Sequence, residues 1–287
     1  MQTPRSLLQW FLVLLALTLT VLLLVLPLVL IFSKALGAGW EMVALNLADS
    51  DMRHAIWLTV LAALITVPVN LVFGVLLAWC VTRYEFRGRK LLTTLIGIPF
   101  AMSPVVAGLC YLVIYGIESR LGGWLFDHDI QLMFAWPGIV MVTIFVTCPY
   151  VARVLIPLME SQGSDEEEAA LLLGASGFKT FLYVTLPNIK WALLYGVVIT
   201  NARAVGEFGA VSVVSGSIRG QTLTLPLHVE LLHQDYNTVG AFTAAALLAS
   251  MAMLTLVLKT IMEWRQQQRI TNGNVDHENV EKKAQPQ

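Results

Sequence analysis

The most informative stretch of the chain lies in a polar interval at residues 165–187. It contains Glu168-Ala169-Ala170, then three residues, Gly174, nine more residues, and a segment that ends in Leu186-Pro187. On either side of this interval lies an apolar run long enough to cross a bilayer. A membrane protein that folds a short helix in water between two spans presents that helix to a soluble partner. The stretch therefore predicts an integral membrane protein that works in contact with such a partner.

The composition supports a membrane location. Of the 287 residues, 57% are hydrophobic and only 13% are charged, whereas about a quarter of the residues in a soluble domain are charged. A bilayer core requires roughly 20 consecutive apolar residues per helix. By that measure we predict an all-α integral membrane protein with six transmembrane helices, at residues 7–32, 56–81, 93–115, 136–157, 190–214 and 238–262.

The domain organisation follows from these spans. The first apolar run, of about 26 residues, exceeds the roughly 7–15 residues of a signal-peptide core, so we interpret it as an uncleaved anchor. Residues 1–53 then form an N-terminal stub, the first span and a loop, and residues 54–265 form the five-span core. The core includes a cytoplasmic loop at about 158–189. Residues 266–287 are polar and lack apolar periodicity, which predicts a disordered tail.

Several function classes are disfavoured by the residue pattern. The net charge of −1 and the lack of a basic stripe argue against a nucleic-acid partner. Cys80, Cys110 and Cys148 are scattered among the predicted spans, which is typical of small buried residues rather than of disulfides or metal ligands. No pair of histidines has HExxH spacing and no GxSxG motif occurs, so the sequence predicts neither a metal centre nor a hydrolase.

The distribution of basic residues predicts the orientation. Six spans place both termini on one side of the membrane, and Lys and Arg are enriched in cytoplasmic loops. With cytoplasmic termini, thirteen of the 18 Lys and Arg residues lie inside, Arg203 lies within a span, and four lie outside: Lys34, Arg53, Arg120 and Arg219. We therefore predict that both termini and the loop at 158–189 are cytoplasmic.

The cytoplasmic loop has the pattern of a docking helix. Ser164 is a candidate N-cap, and the acidic residues after it suit the positive end of a helix dipole. Glu167, Ala170, Leu171 and Gly174 fall on one helical face, where small residues allow close docking, and Gly174 can end the helix. An amphipathic helix lying on the membrane is the alternative, but such helices carry a Lys/Arg-rich polar face.

A second short helix is predicted after this docking helix. It passes through Phe178 and Phe181, after which Thr185 caps the fifth span and Pro187 lies in its first turn. Residues 174–180 faintly resemble a phosphate-binding loop, but Phe178 separates the glycine from the lysine. We therefore predict that this chain binds no ATP.

The fifth span carries two charges. Arg203 lies about 14 residues past the predicted start of the span, hence near mid-membrane at about 1.5 Å per residue. Glu207 is four residues further on, on the same helical face, and can pair with it. A charge at this depth faces protein or water and marks function. The pair either fixes helix packing or lines an anion path; an unpaired glutamate would repel an anion, which favours packing.

The third span is interrupted by prolines. Pro99 and Pro104, with Ser103 beside the second of them, remove backbone donors and are expected to bend the helix. The freed carbonyls then need water or protein partners. This pattern fits a translocation path but is also common in ordinary membrane helices.

The spacing of the opening stretch resembles, at every position, the EAA loop of ABC-importer permeases. Residues 201–216, Asn-Ala-Arg-Ala-Val-Gly-Glu-Phe-Gly-Ala-Val-Ser-Val-Val-Ser-Gly, are similar to the sulfate/thiosulfate and molybdate branch of these permeases. Residues 99–108, 186–196 and 234–246 resemble the CysW-type sulfate/thiosulfate permease family within it. The likeness extends from about residue 46 to residue 265.

This resemblance implies a type I ABC importer permease fold with a cytoplasmic coupling helix. In the family, that helix fits a groove on an ATP-binding subunit and carries its closure to the membrane spans. The resemblance assigns this coupling role to Glu168, Ala169, Ala170 and Gly174, with Leu186 and Pro187 completing the motif.

The resemblance also implies the partners. They are a second homologous permease of CysT type, two copies of a CysA-type ATP-binding subunit, a periplasmic sulfate/thiosulfate-binding protein and membrane lipid. The chain itself would be a non-catalytic subunit of the bacterial inner membrane that binds no cofactor, since ATP and Mg²⁺ are used by the ATPase.

Two other functions stay open at this point. One is a permease for another oxyanion, such as molybdate or tungstate, because selection in such systems lies largely in the binding protein. The other is an ion-gradient-driven carrier or channel that works alone, although such a protein would not need a helix that binds an ATPase.

Overall fold

The fold is a bundle of long apolar helices. The computed structural model describes the backbone of residues 7–284 and the side chains of residues 8–261. All regular elements in this part of the chain are helical. In order they are α1 (Leu7–Thr20), a π-helical turn (Val21–Val25), α2 (Leu26–Leu36), α3 (Trp40–Ala48), α4 (Ser50–Arg83), α5 (Arg89–Ala101), α6 (Pro104–Tyr115), α7 (Arg120–Asp127), α8 (Trp136–Thr147), α9 (Pro149–Gln162), α10 (Asp165–Leu172), α11 (Gly177–Thr180), a second π-helical turn (Phe181–Thr185), α12 (Leu186–Val205), α13 (Gly209–Ser215), α14 (Leu225–Gln234) and α15 (Thr238–Ala284).

The predicted all-α architecture is confirmed. In the described residues, five stretches are long and apolar enough to cross a membrane, and the number reaches the predicted six when the pair α5 and α6, bent by 106°, is counted as one broken span. The five are Leu8–Leu36, Ser50–Arg83, Trp136–Gln162, Gly177–Val205 and Thr238–Ile261.

The fifth segment differs from the prediction at both ends. Its apolar helix runs over Gly177–Val205 rather than 190–214, and the chain breaks at Gly206 before α13 begins. Thr185 has helical φ and ψ of −62° and −52° and makes no N-cap bond, so the predicted cap is wrong. Proline is common in a first turn, which suggested a helix start, but Pro187 instead follows the π-helical turn Phe181–Thr185 inside a continuous helix. Such turns interrupt the regular hydrogen-bond ladder that proline cannot complete.

The central helix is α4, which contacts α5, α8, α9, α12 and α14. One apolar cluster packs it against α8, α6 and α13, around Ile139, Val142 and Val214. A second cluster packs its final turns against α9 and α12, around Ala78, Leu155 and Ile189. Between the two clusters, the buried amide of Asn70 donates to Thr147 Oγ1 at 2.6 Å. Such polar links join helices inside a membrane.

The loops separate into two ends of the bundle. At one end, the first turns of α4 meet α14, where Leu225 N donates to Thr59 Oγ1 at 2.8 Å. His54 Nε2 lies 3.0 Å from the carbonyl of Gln221 at the same end. At the other end, Arg83 finishes α4 beside α10. The loop with the Glu-Ala-Ala sequence therefore lies opposite the loop that follows α13.

Two of the predictions on domain organisation concern the ends of the chain. The stub that precedes the first span and residues 285–287 lie outside the described residues. The backbone of α15 continues to Ala284 across most of residues 266–287, where the sequence predicts a disordered tail. The side chains of that tail lie outside the described part, and its disorder stays a prediction.

Candidate coupling and translocation sites

The Glu-Ala-Ala segment folds as the short helix α10, close to its predicted bounds. Four acidic residues, 165–168, occupy its first turn and Ser164 lies at its N-cap position. The Ser164 hydroxyl donates to Glu168 Oε1 at 2.6 Å instead of accepting from the backbone. Gly174 has a φ of +87°, the left-handed conformation that glycine adopts at a helix end. The predicted helix and its stop are both present.

The inner side of α10 is held by the membrane helices. Glu167 Oε2 accepts from Arg83 Nε at 2.6 Å, and Glu167 Oε1 accepts from Thr185 Oγ1 at 2.8 Å. Glu166 accepts from the Asn188 side-chain amide. Glu167 was expected on the docking face, and that expectation is wrong because both carboxylate oxygens are bonded within the chain.

Arg83 joins a third element to this contact. Its Nη1 donates to the carbonyl of Met159, near the end of α9, at 3.1 Å. The Arg83 and Glu167 side chains are only 11% and 13% exposed. Next to them the Trp79 and Phe181 rings lie 5.0 Å apart. The last residue of α4 is thus bonded to both α9 and α10.

The outer side of α10 is open. Glu168, Ala169 and Gly174 are exposed, Ala170 is partly buried, and Leu172 and Leu173 are each 89% exposed. Phe178, in α11, is 73% exposed. Neighbouring exposed apolar side chains mark an interaction surface. The four acids in the first turn and the lack of Lys or Arg in α10 disfavour an anionic membrane surface as the partner.

The final residues of the motif lie in the first turn of α12 rather than on the exposed side of α10. Leu186 is partly buried and Pro187 is exposed at the start of α12. They follow Thr185, whose hydroxyl binds Glu167. Their position next to this contact connects the loop to the fifth span.

The breaks in the third and fifth spans lie against each other. Pro99 is buried within α5, the chain turns at Ser103 in an extended conformation, and Pro104 begins α6. A Cβ on Gly209 would lie 3.2 Å from Pro104 Cβ, and one on Gly108 would lie 2.7 Å from the carbonyl oxygen of Ala210. The proline bend is confirmed, and it is sharper than a kink because two short helices, α6 and α13, pack together at the break.

Arg203 and Glu207 form the predicted ion pair, with Nη1 and Oε2 2.6 Å apart. Arg203 lies in the last turn of α12 rather than in the middle of a longer helix, where a cation also suits the negative end of the helix dipole. Glu207 Oε1 accepts from Ala210 N at 3.0 Å, at the start of α13. The Glu207 side chain is 1% exposed and that of Arg203 is 30% exposed. The pair therefore fixes the turn between α12 and α13 and leaves part of the guanidinium accessible.

The residues that sequence reasoning missed are long-range partners. Arg83 ends a span and Thr185 precedes a proline, and nothing in their spacing connects either residue to Glu167. The exposed leucines at the end of α10 could have been recognised as a docking surface, because an apolar triplet, residues 171–173, is unusual in a polar interval.

The opposite end of the bundle contains a polar cavity that the sequence did not indicate. It has a volume of about 580 Å³ and is lined by residues that include Asp49, Asp51, Arg219, His228 and Asp235. His228 is buried, and its Nδ1 has no hydrogen-bond partner. Desolvation lowers the pKa of His228 below its ordinary value, so the ring is neutral at pH 7.

Neither a metal cluster nor a disulfide is found in the described part of the chain. No group of three or more His, Cys, Asp and Glu side chains there could hold a metal ion. Cys80, Cys110 and Cys148 are free thiols, but Cys80 and Cys148 are only partly buried and Cys110 is exposed, so the expectation that all three are buried is wrong.

Comparison with known sequences gives a consistent result. Residues 70–269 match the family described as binding-protein-dependent transport system inner membrane component. The chain is 62% identical over 277 residues to the sulfate transport system permease protein CysW of Escherichia coli K12, covering 96% of this chain and 91% of the relative. It is 49% identical to CysW of Synechocystis sp. over 257 residues, with coverage of 90% and 93%.

A second type of relative is more distant. The sulfate transport system permease protein CysT of E. coli K12 is 36% identical over 217 residues, which cover 75% of this chain and 77% of the relative.

Comparison with solved structures supports the fold. A chain of a bacterial alginate ABC transporter, in complex with its alginate-bound periplasmic protein, superposes with a TM-score of 0.72 at 16% identity, covering 92% of this chain and 95% of that one. A second alginate ABC transporter structure gives a TM-score of 0.74 at 15% identity, with coverage of 91% and 95%. The family match covers most of the chain, and the chain therefore belongs to the binding-protein-dependent transport system inner membrane components.

Proposed function

We propose that this chain is the permease subunit through which an ATP-driven importer moves sulfate, and with it thiosulfate, into the bacterial cytoplasm. The observation that carries the transport mechanism is α10, whose inner side is bonded to the spans and whose outer side exposes Leu172 and Leu173. A helix held in this way passes force from a docked protein to the membrane core.

The cargo assignment rests on the relatives. Two at 62% and 49% identity are named as sulfate transport permeases. Molybdate and tungstate are the alternative cargoes, since these oxyanions resemble sulfate in size and charge, and no named relative reported above favours them. A carrier driven by an ion gradient is an alternative from another class of transporter. Such a carrier needs no ATPase, so it would not explain the exposed apolar surface of α10.

The working assembly contains several partners. One is a second permease of CysT type, supported by the 36% identity of this chain to such a protein. Two copies of a CysA-type ATP-binding subunit dock on the coupling helices, and they supply ATP and Mg²⁺ chemistry while this chain has no catalytic role. A periplasmic sulfate/thiosulfate-binding protein delivers cargo to the opposite end. Lipid covers exposed apolar helices such as Leu8–Leu36.

The orientation is proposed from charge and geometry together. Arg83, Arg87, Arg89 and Lys90 cluster near the end of the bundle that carries α10. The positive-inside rule assigns that end to the cytoplasm, together with both termini. The cavity lined by Asp49 and His228 then faces the periplasm.

The anion path lies beside the two broken spans. Pro99, Ser103 and Pro104 create the break, and Arg203 next to Glu207 keeps a partly accessible guanidinium near it. Because the buried Glu207 carboxylate forms an ion pair with Arg203 and accepts from the Ala210 amide, the first role of this pair is to fix helix packing. The exposed part of Arg203 adds positive potential for a passing dianion.

A growth experiment tests the cargo. A strain lacking this gene is grown with sulfate, thiosulfate or cysteine as the sole sulfur source. We expect loss of growth on sulfate and thiosulfate and normal growth on cysteine, with plasmid-borne wild-type chain restoring growth. Unchanged growth on sulfate in a strain with no other sulfate importer would contradict the proposed cargo.

A further inference from the structure

We infer that Arg83 is a positioning residue of the coupling mechanism: it clamps α10 to the second span, so that movement of α10 reaches α4 directly. This inference rests on the proposed docking of an ATPase on α10. It adds a route that the chain connections of the loop, which lead only to the fourth and fifth spans, do not provide.

The backbone connections of α10 are flexible by composition. Gly163, before the helix, has a φ of +71°, and Gly174, after it, has a φ of +87°. Apart from the adjacent residues in the chain, no atom lies within 4 Å of the position that a Cβ would take on either glycine. A helix between two such glycines turns readily relative to the spans on each side. Side-chain contacts must therefore carry the force.

The Glu167 carboxylate is the point where those contacts converge. It accepts from Arg83 at 2.6 Å and from Thr185 at 2.8 Å. Arg83 also donates to the Met159 carbonyl at 3.1 Å, so one guanidinium bridges α9 and α10. The side chains of Arg83 and Glu167 are both nearly nine-tenths buried, where charge-assisted bonds are stronger than in water.

The length of α4 allows a movement of α10 to be transmitted from one end of the bundle to the other. α4 has 34 residues, which gives a length of roughly 50 Å at 1.5 Å per residue. Arg83 is its last residue, and near its first turns Thr59 accepts from Leu225 N of α14. α4 continues as a single helix through Pro68, so a displacement delivered to Arg83 is passed along it towards the opposite end of the bundle, where α14 and the polar cavity lie.

The chain offers a matched control close by. Arg89 Nη2 and Glu160 Oε1 lie 3.3 Å apart and join α5 to α9 at the same end of the bundle. Their side chains are 37% and 52% exposed, and exposed pairs contribute little. Arg89→Gln removes the same charge as Arg83→Gln without touching α10.

The experiment uses the complete complex in lipid nanodiscs with its ATPase and binding protein. Arg83→Gln and Glu167→Gln are compared with Arg89→Gln, and Arg83→Lys serves as the conservative rescue. The main readout is the ratio of ATPase activity with cargo-loaded binding protein to activity without it. Hydrogen exchange of the peptides that cover residues 165–172 is measured in parallel.

We expect Arg83→Gln to keep the ATPase bound and to lower the stimulation ratio at least about fivefold, the lower end for energetic coupling between sites. Glu167→Gln, which keeps the size of the side chain and an acceptor for Thr185, should lower it less. Arg83→Lys should recover part of the ratio, Arg89→Gln should leave it unchanged, and exchange at 165–172 should rise only in the clamp variants.

An unchanged ratio and unchanged exchange in both Arg83→Gln and Glu167→Gln would overturn the clamp, as would equal losses in Arg89→Gln. A wild-type complex that retains no ATPase, or that shows no stimulation, would contradict the proposed function instead. In that case the difference in hydrogen exchange between Arg83→Gln and Arg89→Gln still tests the clamp.

Discussion

Glu207 is a buried carboxylate, and the protein tolerates its charge because of the groups that its two oxygens contact. One binds the Arg203 guanidinium at 2.6 Å and the other accepts the Ala210 amide at 3.0 Å. A buried charge without such partners would be strongly destabilising. The sequence predicted the Arg203 pair from i,i+4 spacing, but the second bond could not be predicted because it depends on the helix break at Gly206.

Removing this carboxylate should therefore be costly. We expect Glu207→Ala to lower the free energy of unfolding by about 3 kcal/mol, the lower end of the range for breaking a buried pair, because Arg203 is partly exposed. Denaturant titration in mixed micelles measures this loss. If the exchanged pair Arg203→Glu/Glu207→Arg assembles and transports at the wild-type rate, Arg203 has no role toward the anion beyond packing.

Gly108 is required by close helix packing. A Cβ there would lie 2.7 Å from the carbonyl oxygen of Ala210, whose backbone has little room to move. At Gly97, in the same broken span, the nearest atom is the far end of the Arg153 side chain, at 3.8 Å. We expect Gly108→Ala to destabilise the protein by about 1–3 kcal/mol, as overpacking does. Gly97→Ala should be neutral or stabilising by about 0.5–1 kcal/mol, because alanine favours helix. Equal thermal midpoints for the two variants would contradict the packing at this break.

His228 should make stability depend on pH. Desolvation lowers its pKa, and Arg219 acts in the same direction, whereas Asp49, Asp51 and Asp235 oppose the shift. Below pH 6.5 the unfolded chain binds a proton that the folded protein excludes, so the free energy of unfolding falls as the pH drops.

The thermal midpoint of the purified protein, measured between pH 7.5 and pH 5.5, checks this expectation. His228→Gln should flatten the profile, whereas His233→Gln, an exposed histidine on the same helix, should retain it. A steeper fall in His228→Gln than in the wild type would contradict the assignment.

At the scale of elements, α10 shows what local sequence can and cannot predict. Its acidic first turn and its glycine stop were predictable because both are local effects. The orientation of the helix was not, since Glu167 turns inward only because Arg83, 84 positions away, lies beside it. The fifth span was misplaced for a similar reason, because a local proline rule cannot distinguish a helix start from a π-helical turn.

The exposed side of α10 makes a direct prediction about docking. Replacing Leu172 and Leu173 together by serine should weaken binding of the ATPase about a hundredfold, since burying each leucine is worth at least about 1.5 kcal/mol. Co-purification and binding titration in nanodiscs measure the effect. Tyr236→Ser is the control, because this residue is 93% exposed and follows α14 at the opposite end. Normal binding by the double variant would show that the ATPase docks elsewhere.

The whole molecule is organised between two ends joined by α4. One end carries α10, and the other carries the cavity with Asp49 and His228. Hydropathy predicted six membrane segments because a bilayer imposes a length on every span. The size of the 106° bend between α5 and α6 could not be predicted from the sequence. The bend lies where α6 packs on α13, and that contact is formed only in the tertiary fold.

The central claim is that this chain forms a sulfate path that opens only when an ATPase drives it. The most direct measurement is uptake of radiolabelled sulfate into proteoliposomes that contain the complete complex, with binding protein outside and ATP inside. We predict uptake with ATP and none with a non-hydrolysable analogue or with the Leu172→Ser/Leu173→Ser variant. Accumulation of sulfate without ATP, in vesicles that contain this chain alone, would contradict the account.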